Sequence, residues 1–282
     1  MEPILLQLNT SFPSMTKKEK KVADFIKTHH SQVFLLKSKD LARRAEVSEA
    51  TISRFVRKLG FEKYTHFRAE LARQAMENYS TSNRLQALSQ QVTNGQHVLH
   101  RIAGQDLDNL QELTAMVPTE DFDQAVDALC SAKTIHSLGL RSCFGLSFHF
   151  YFCLRFFLNN VSILWAGTGD MPEKILAVDK DDVLLAISFK RYTRDTVEML
   201  KAIKPKVKTV IGITDSDLSP IAELSDIQLI VPTSLPSFLE SYTTTLCLLN
   251  ALIGGVALKK KEEALPALER LEEALQEFET YV

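Results

Sequence analysis

The four cysteines, Cys130, Cys143, Cys153 and Cys247, form no CxxC pair and have no histidine-rich company. Zinc ligation is therefore not expected, and the thiols read as reduced, mostly buried groups of a cytoplasmic protein. No run of about 18 apolar residues exists, so no membrane span is expected. The leading MEPILLQLNTSFPS lacks the basic start of a secretory signal. The chain contains no P-loop, no GxGxxG and no HExxH, and its seven histidines are scattered. No catalytic set, metal site or cofactor is expected.

What is present is a globular composition, 45% hydrophobic and 24% charged over 282 residues, enough for two domains of ordinary size. The net charge of −2 hides an asymmetry. Residues 1–80 hold 15 Lys and Arg against 9 Asp and Glu; residues 81–282 hold 18 against 26. A basic front and an acidic back suit a nucleic-acid module joined to something that does not touch nucleic acid.

Within the basic part, residues 38–61, SKDLARRAEVSEATISRFVRKLGF, predict two short helices joined by a tight turn. Ser48 is a good N-cap for the second helix. Ile52, Phe55, Val56 and Leu59 then fall on one face, and Ala50, Ser53, Arg54 and Arg57 on the other. Gly60 stops the helix, where positive φ is wanted. Such a helix fits a major groove, with Ser48 capping and bonding a phosphate. Thr51 and Ser53 are candidates for base or phosphate contacts, Arg54 and Arg57 for base edges or nearby phosphates, and Lys58 for backbone. A solvated basic face is the competing reading. Glu46 occupies the turn, where such motifs often carry Gly.

Upstream, residues 1–14 form a short lead. Thr16 and Glu19 make a capping box for a helix over 17–29, whose Lys17, Lys18, Lys20 and Lys21 either touch phosphates or are solvated. A helix over 64–79 completes an all-helical domain of four or five helices. Residues 80–105 look like a hinge carrying a helix, broken at Asn94 and Gly95. Helices over 106–117 and 121–130 follow.

The periodicity then changes. Five short apolar runs, at 134–138, 161–165, 183–188, 207–214 and 227–232, alternate with helical segments. They are near-continuous in Val, Ile and Leu, as strands covered on both faces would be. That predicts an α/β domain with a five-stranded parallel sheet. The segment 144–158 is apolar all round and reads as a buried core helix that could also line a subunit contact. His149 within it reads as a packed core or interface residue. Residues 242–282 finish in helices.

Ligands of open parallel sheets sit beyond the carboxyl ends of the strands. The first strand ends in Gly139, Leu140, Arg141 and Ser142. The third ends in Ser188, Phe189, Lys190, Arg191, Tyr192 and Thr193. Each loop offers hydroxyls and backbone N–H groups at a helix start, which suits a phosphate, and the cations strengthen the attraction. Gly139, Arg141, Ser142, Ser188, Lys190, Arg191, Tyr192 and Thr193 are the predicted ligand residues. Asp215, ending the fourth strand, would repel an anion or cap a turn.

These motifs together resemble the RpiR/MurR family of bacterial transcription regulators over nearly the full length. The stretch DLARRAEVSEATISRFVRKLGFEKYTHFRAELA resembles the family's helix-turn-helix domain, and residues from about 125 to 260 resemble a sugar isomerase (SIS) domain. The resemblance implies an all-α helix-turn-helix domain joined to an α/β SIS domain with a three-layer α/β/α sandwich. It also implies a homodimer or higher homo-oligomer, double-stranded DNA as a partner through a palindromic operator, and a small anionic metabolite, a sugar phosphate, that adjusts DNA binding. The domains are set at 1–79, 80–120 and 121–282. Two loop patterns depart from the family. For GxGxS, Ser142 matches while Leu138 and Leu140 replace the glycines. For SxSGxT, Ser188 and Thr193 match while Lys190 and Arg191 replace Ser and Gly. The alternative function is a phosphosugar isomerase with a helical extension, for which Glu240 and His149 are the nameable bases.

Overall fold

The computed structural model describes residues 4–30, 33–78, 80–92, 97–165, 167 and 169–281. The chain divides into two compact units, Met1–Gly95 and Gln96–Val282. The sequence break placed at Asn94 and Gly95 lies outside the described residues.

The first unit is helical: α1 (Ile4–Ser11), α2 (Lys17–Thr28), α3 (Ser38–Arg44), α4 (Glu49–Lys58), α5 (Tyr64–Asn78) and α6 (Thr81–Val92). The lead is itself a helix, anchored by the fully buried Ile4 and Leu8 one turn apart. The capping box at α2 forms as the sequence predicts: Glu19 N donates to the Thr16 hydroxyl, and Thr16 N to the Glu19 carboxylate. Val22, Ala23 and Ile26 from α2, Leu41 and Ala42 from α3, and Ile52, Phe55 and Val56 from α4 are buried, with Phe67 of α5. Phe67 meets Phe55 edge-on at 6.3 Å between ring centroids and Phe61 at 5.2 Å.

The second unit runs α7 (Val98–Met116), α8 (Thr119–Ser131), β1 (Ile135–Gly139), α9 (Phe144–Leu154), β2 (Val161–Leu164), α10 (Met171–Leu176), β3 (Val183–Ile187), α11 (Arg194–Ile203), β4 (Thr209–Thr214), α12 (Pro220–Leu224), β5 (Ile227–Ile230), α13 (Thr243–Lys259) and α14 (Lys261–Glu277). The five strands pair in parallel in the order β2-β1-β3-β4-β5. Along β3, Val183, Leu185 and Ile187 enter one core with α8, α9 and α13, while Leu184 and Ala186 enter another with α11 and α12. Burial on both faces is why the strand sequences read as unbroken apolar runs.

Three expectations need correction. α7 begins at Val98, eight residues before the predicted start at 106, because its first turns are polar and their periodicity is weak. The segment 144–158, α9 and the turn after it, is not buried all round: Phe148, Phe152 and Phe156 are exposed, with Trp165 near Phe144. Their rings run along one side of the helix at spacings of 5.2–5.8 Å. The cysteines also differ from expectation. Cys143 is buried, Cys130 and Cys153 are partly so, and Cys247 is exposed.

Candidate functional site

α4 separates its residues by face. Ser53, Arg54, Arg57 and Lys58 point outward while Ile52, Phe55 and Val56 pack inward. The Ser48 hydroxyl accepts from Thr51 N at 3.3 Å, the N-cap the sequence calls for. At the other end Gly60 has φ +86, Gly60 N donates to Arg57 O and Phe61 N to Val56 O. This is a Schellman stop, and the LGF sequence makes it.

The same stop explains Glu46. Val47 N donates to Ala42 O at 2.9 Å and Glu46 N to Arg43 O at 3.2 Å. Glu46 therefore sits at the position after the C-cap of α3, with φ +55. Its carboxylate meets Lys21 Nζ at 2.5 Å, and that bond holds its pKa below the ordinary value. Here an ion pair to α2 accompanies a backbone conformation that Gly adopts more readily.

Two of the six predicted DNA residues are placed otherwise than a contact requires. Thr51 is buried because it lies one turn before Phe55 on the packed side, and its hydroxyl shares a 3.0 Å bond with Ser48. Lys58 Nζ donates to Ser14 O at 2.7 Å and Glu19 Oε2 at 3.2 Å, so it fastens α4 to the start of α2. Of the α2 lysines, Lys20 sits by the Phe12 ring and Lys21 binds Glu46, while Lys17 and Lys18 are exposed.

In the second unit β1 lies between β2 and β3, so the order in which strands are added to the sheet reverses between the carboxyl ends of β1 and β3. A cleft of about 580 Å³ opens there. Arg141, Ser142, Ser188, Lys190, Arg191, Tyr192 and Thr193 all line it, so the two predicted loops come together. Arg194 and Asp195, which start α11, complete one wall and Tyr242 another.

Gly139 does not line the cleft. A Cβ on it would lie 2.6 Å from Cys143 O and 3.0 Å from Ser147 Cβ. The glycine is needed for β1 to approach the turn into α9. Gly139→Ala is expected to push that turn outward and to destabilise the second unit by about 1–3 kcal/mol, as overpacking does. Urea unfolding of the intact chain measures this; an unchanged midpoint would refute the close approach.

Arg141 and Arg191 both have positive φ, +54 and +60. Arg191 stands where the resembling loop pattern carries Gly, so the backbone geometry persists with a charged side chain in place of a hydrogen. Such conformations for non-glycine residues carry strain and concentrate at functional sites. Asp215 does not face an incoming anion openly. Its side chain is 2% exposed, accepts from the Tyr192 hydroxyl at 3.0 Å and lies 3.6 Å from Lys190 Nζ. Burial raises its pKa above the usual carboxyl value despite the pull of Lys190.

Tyr242 escaped the sequence reading. It is 100 residues from Ser142, yet its hydroxyl donates to the Ser142 oxygen at 2.8 Å. Its ring lies 5.5 Å from that of Phe189, and burial lifts its pKa to about 12. His149 and Glu240 are not among the residues lining the cleft. His149 instead pairs with Asn250 at 2.8 Å.

Residues 3–78 match the helix-turn-helix domain of the rpiR family, and residues 129–254 match the SIS domain. The HTH-type transcriptional regulator HexR of Pseudomonas aeruginosa is 26% identical, over 98% of this chain and 96% of its own. An uncharacterised HTH-type regulator of Bacillus subtilis, YbbH, is 22% identical over 92% of both chains. The structure of Vibrio vulnificus NanR complexed with ManNAc-6P superposes with a TM-score of 0.64 at 18% identity, over 98% of this chain and 99% of that one. The sugar isomerase domain of an RpiR transcription factor from Sphaerobacter thermophilus gives 0.60 at 23% identity, over 63% and 99%. Both show a shared fold.

Proposed function

We propose that this chain, a transcriptional regulator that joins an rpiR-family helix-turn-helix domain to a SIS domain, changes its grip on DNA when a small anionic metabolite of the phosphosugar class fills the SIS cleft. One observation carries the reading: two arginines, Arg141 and Arg191, are held at positive φ on facing loops of one cleft at the switch point. A neutral ligand gives no reason to place charged residues in that conformation. The capture of ManNAc-6P by NanR, on the same fold, supports the phosphate class.

Ser48, Ser53, Arg54 and Arg57 make the DNA contacts in this reading, with Thr51 supporting the helix from within and Lys58 tying it to the start of α2. Two copies of α4 meet half-sites about 34 Å apart, or a multiple of that, on one face of a palindromic operator. The protein therefore acts as a homodimer or a higher oligomer. The exposed Phe148, Phe152 and Phe156 support self-association, because contiguous apolar patches are seldom left in water. Residues 80–120 connect the two functions. The relatives are regulators, and the chain is not an enzyme.

Footprinting on DNA upstream of its own coding region, with and without a panel of phosphorylated sugars and sugar acids, tests the whole reading. At least one compound is expected to change the operator affinity by about 5–150-fold. Two salt concentrations are needed, because phosphate contacts make the affinity salt-dependent. A footprint that no anionic compound alters would remove the sensor from the proposal. The cleft has its own pH signature. Asp215 takes up a proton below its raised pKa, and Lys190 then loses its counter-charge. Sulfate, whose charge does not change there, should therefore bind more tightly as pH falls through that raised pKa. Calorimetry showing the opposite slope would contradict the Lys190–Asp215 arrangement.

A further inference from the structure

Asp106 lies on α7, the first helix of the second unit, and its carboxylate spans the pocket tyrosine. One oxygen, Oδ1, accepts from the Ser241 hydroxyl at 2.5 Å; the other, Oδ2, accepts from the Thr243 hydroxyl at 2.8 Å. Ser241 and Thr243 are the two neighbours of Tyr242. Both oxygens of a single side chain thus hold the side chains on either side of the residue whose hydroxyl meets Ser142 in the cleft.

A second fastening lies almost one turn further along α7. Asn109 is 1% exposed, and its amide donates to Ser234 O at 2.7 Å while its oxygen accepts from Gln105. A buried amide in an apolar core persists only when it is paired. The loop it holds is closed on itself, since Ser241 N donates to Thr233 O at 3.0 Å. α7 therefore grips this loop at both ends, at 234 and at 241–243. Nothing comparable is needed merely to cover the sheet, a task that Leu113 and its apolar neighbours already perform.

We infer that Asp106 is the coupling residue of the switch, a positioning group that turns movement of Tyr242 in the cleft into movement of α7. α7 is the helix from which the chain leads back through residues 93–97 to the DNA-binding unit. The inference rests on the cleft being the ligand site. An anion that draws Ser142 toward Arg141 and Arg191 strains the Tyr242–Ser142 bond. Tyr242 then shifts, Ser241 and Thr243 shift with it, and the Asp106 carboxylate follows because both of its oxygens are engaged. Hydrogen bonds to a charged acceptor are stronger than those between neutral groups, so this pair can carry the displacement.

Hydrogen exchange on the full-length protein separates the parts of this chain of contacts. Sulfate is the probe, with sodium chloride at equal ionic strength as the control. In the native protein sulfate is expected to slow amide exchange at 188–193 and along 98–109, each about fivefold or more. In Asp106→Ala the slowing at 188–193 persists and that along 98–109 disappears. Asp106 is half-buried, so the variant is expected to fold; Asp106→Asn, which keeps the shape and an acceptor oxygen, replaces it should the alanine variant unfold. Slowing at the loop with none in native α7, or slowing of α7 that survives the substitution, overturns the relay and leaves the cleft intact. No slowing at 188–193 in the native protein overturns the ligand site and the relay with it.

Discussion

Replacing Arg54 and Arg57 together with alanine is expected to abolish operator binding while leaving the melting of the protein unchanged. Both side chains stand on the outward face of α4, and Gly60 and Ser48 fix the two ends of that helix. A good bidentate contact to a base edge is worth about 1–3 kcal/mol, so losing two weakens binding by roughly 30-fold to more than 10⁴-fold. Whatever share of the contacts falls on phosphates appears separately, as a shallower salt dependence by about 0.9 per lost contact. Gel-shift titration at two salt concentrations reads both. Operator affinity within a factor of three of the native value would take the recognition role away from α4.

The neighbouring residue gives the opposite result. Phe55 is fully buried between the helices and packs edge-on against Phe67. Phe55→Ala leaves a cavity where the three helices of the motif meet, at a cost of about 3–5 kcal/mol. Against total stabilities of about 5–15 kcal/mol, that is a large share. The helical unit is expected to melt more than about 10 °C lower, and operator binding to fail on warming. Sulfate binding at the SIS cleft should persist at temperatures where the variant no longer binds DNA. A shift below about 3 °C would mean that the core of the first unit does not centre on Phe55. Together the two variants divide one helix into a face that reads and a face that holds.

How much of this was legible in the sequence follows from the range of each interaction. The α4 faces, the capping box and the Gly60 stop depend on residues within a turn or two, and the sequence shows them. The strands were legible because burial on both faces leaves an unbroken apolar run. The burial of Thr51 follows from its phase relative to Phe55, whereas a hydroxyl two residues from Ser53 suggests a polar role. Lys58 could not have been placed: its partners, Ser14 and Glu19, are 44 and 39 residues away. Tyr242 and Asp106 are silent for the same reason. The exposed side of α9 is not legible, because an all-apolar helix has one composition whether its outer side is covered or open. Arg191 was visible as a departure from a glycine pattern, but only φ shows that the glycine geometry survived.

The sheet order also bears on how the protein is made. Every strand pairing in β2-β1-β3-β4-β5 is parallel, so each neighbour is reached only through a helical crossover. The first unit is built from helices joined by short connections. Chains dominated by local contacts fold in microseconds to milliseconds, and those dependent on distant pairings more slowly. Synthesis also delivers the helical unit first, at about 5–20 residues per second. A nascent chain thus carries a finished helical unit for several seconds before β5 exists to complete the sheet, and under the proposed function that interval leaves DNA binding without its metabolite control.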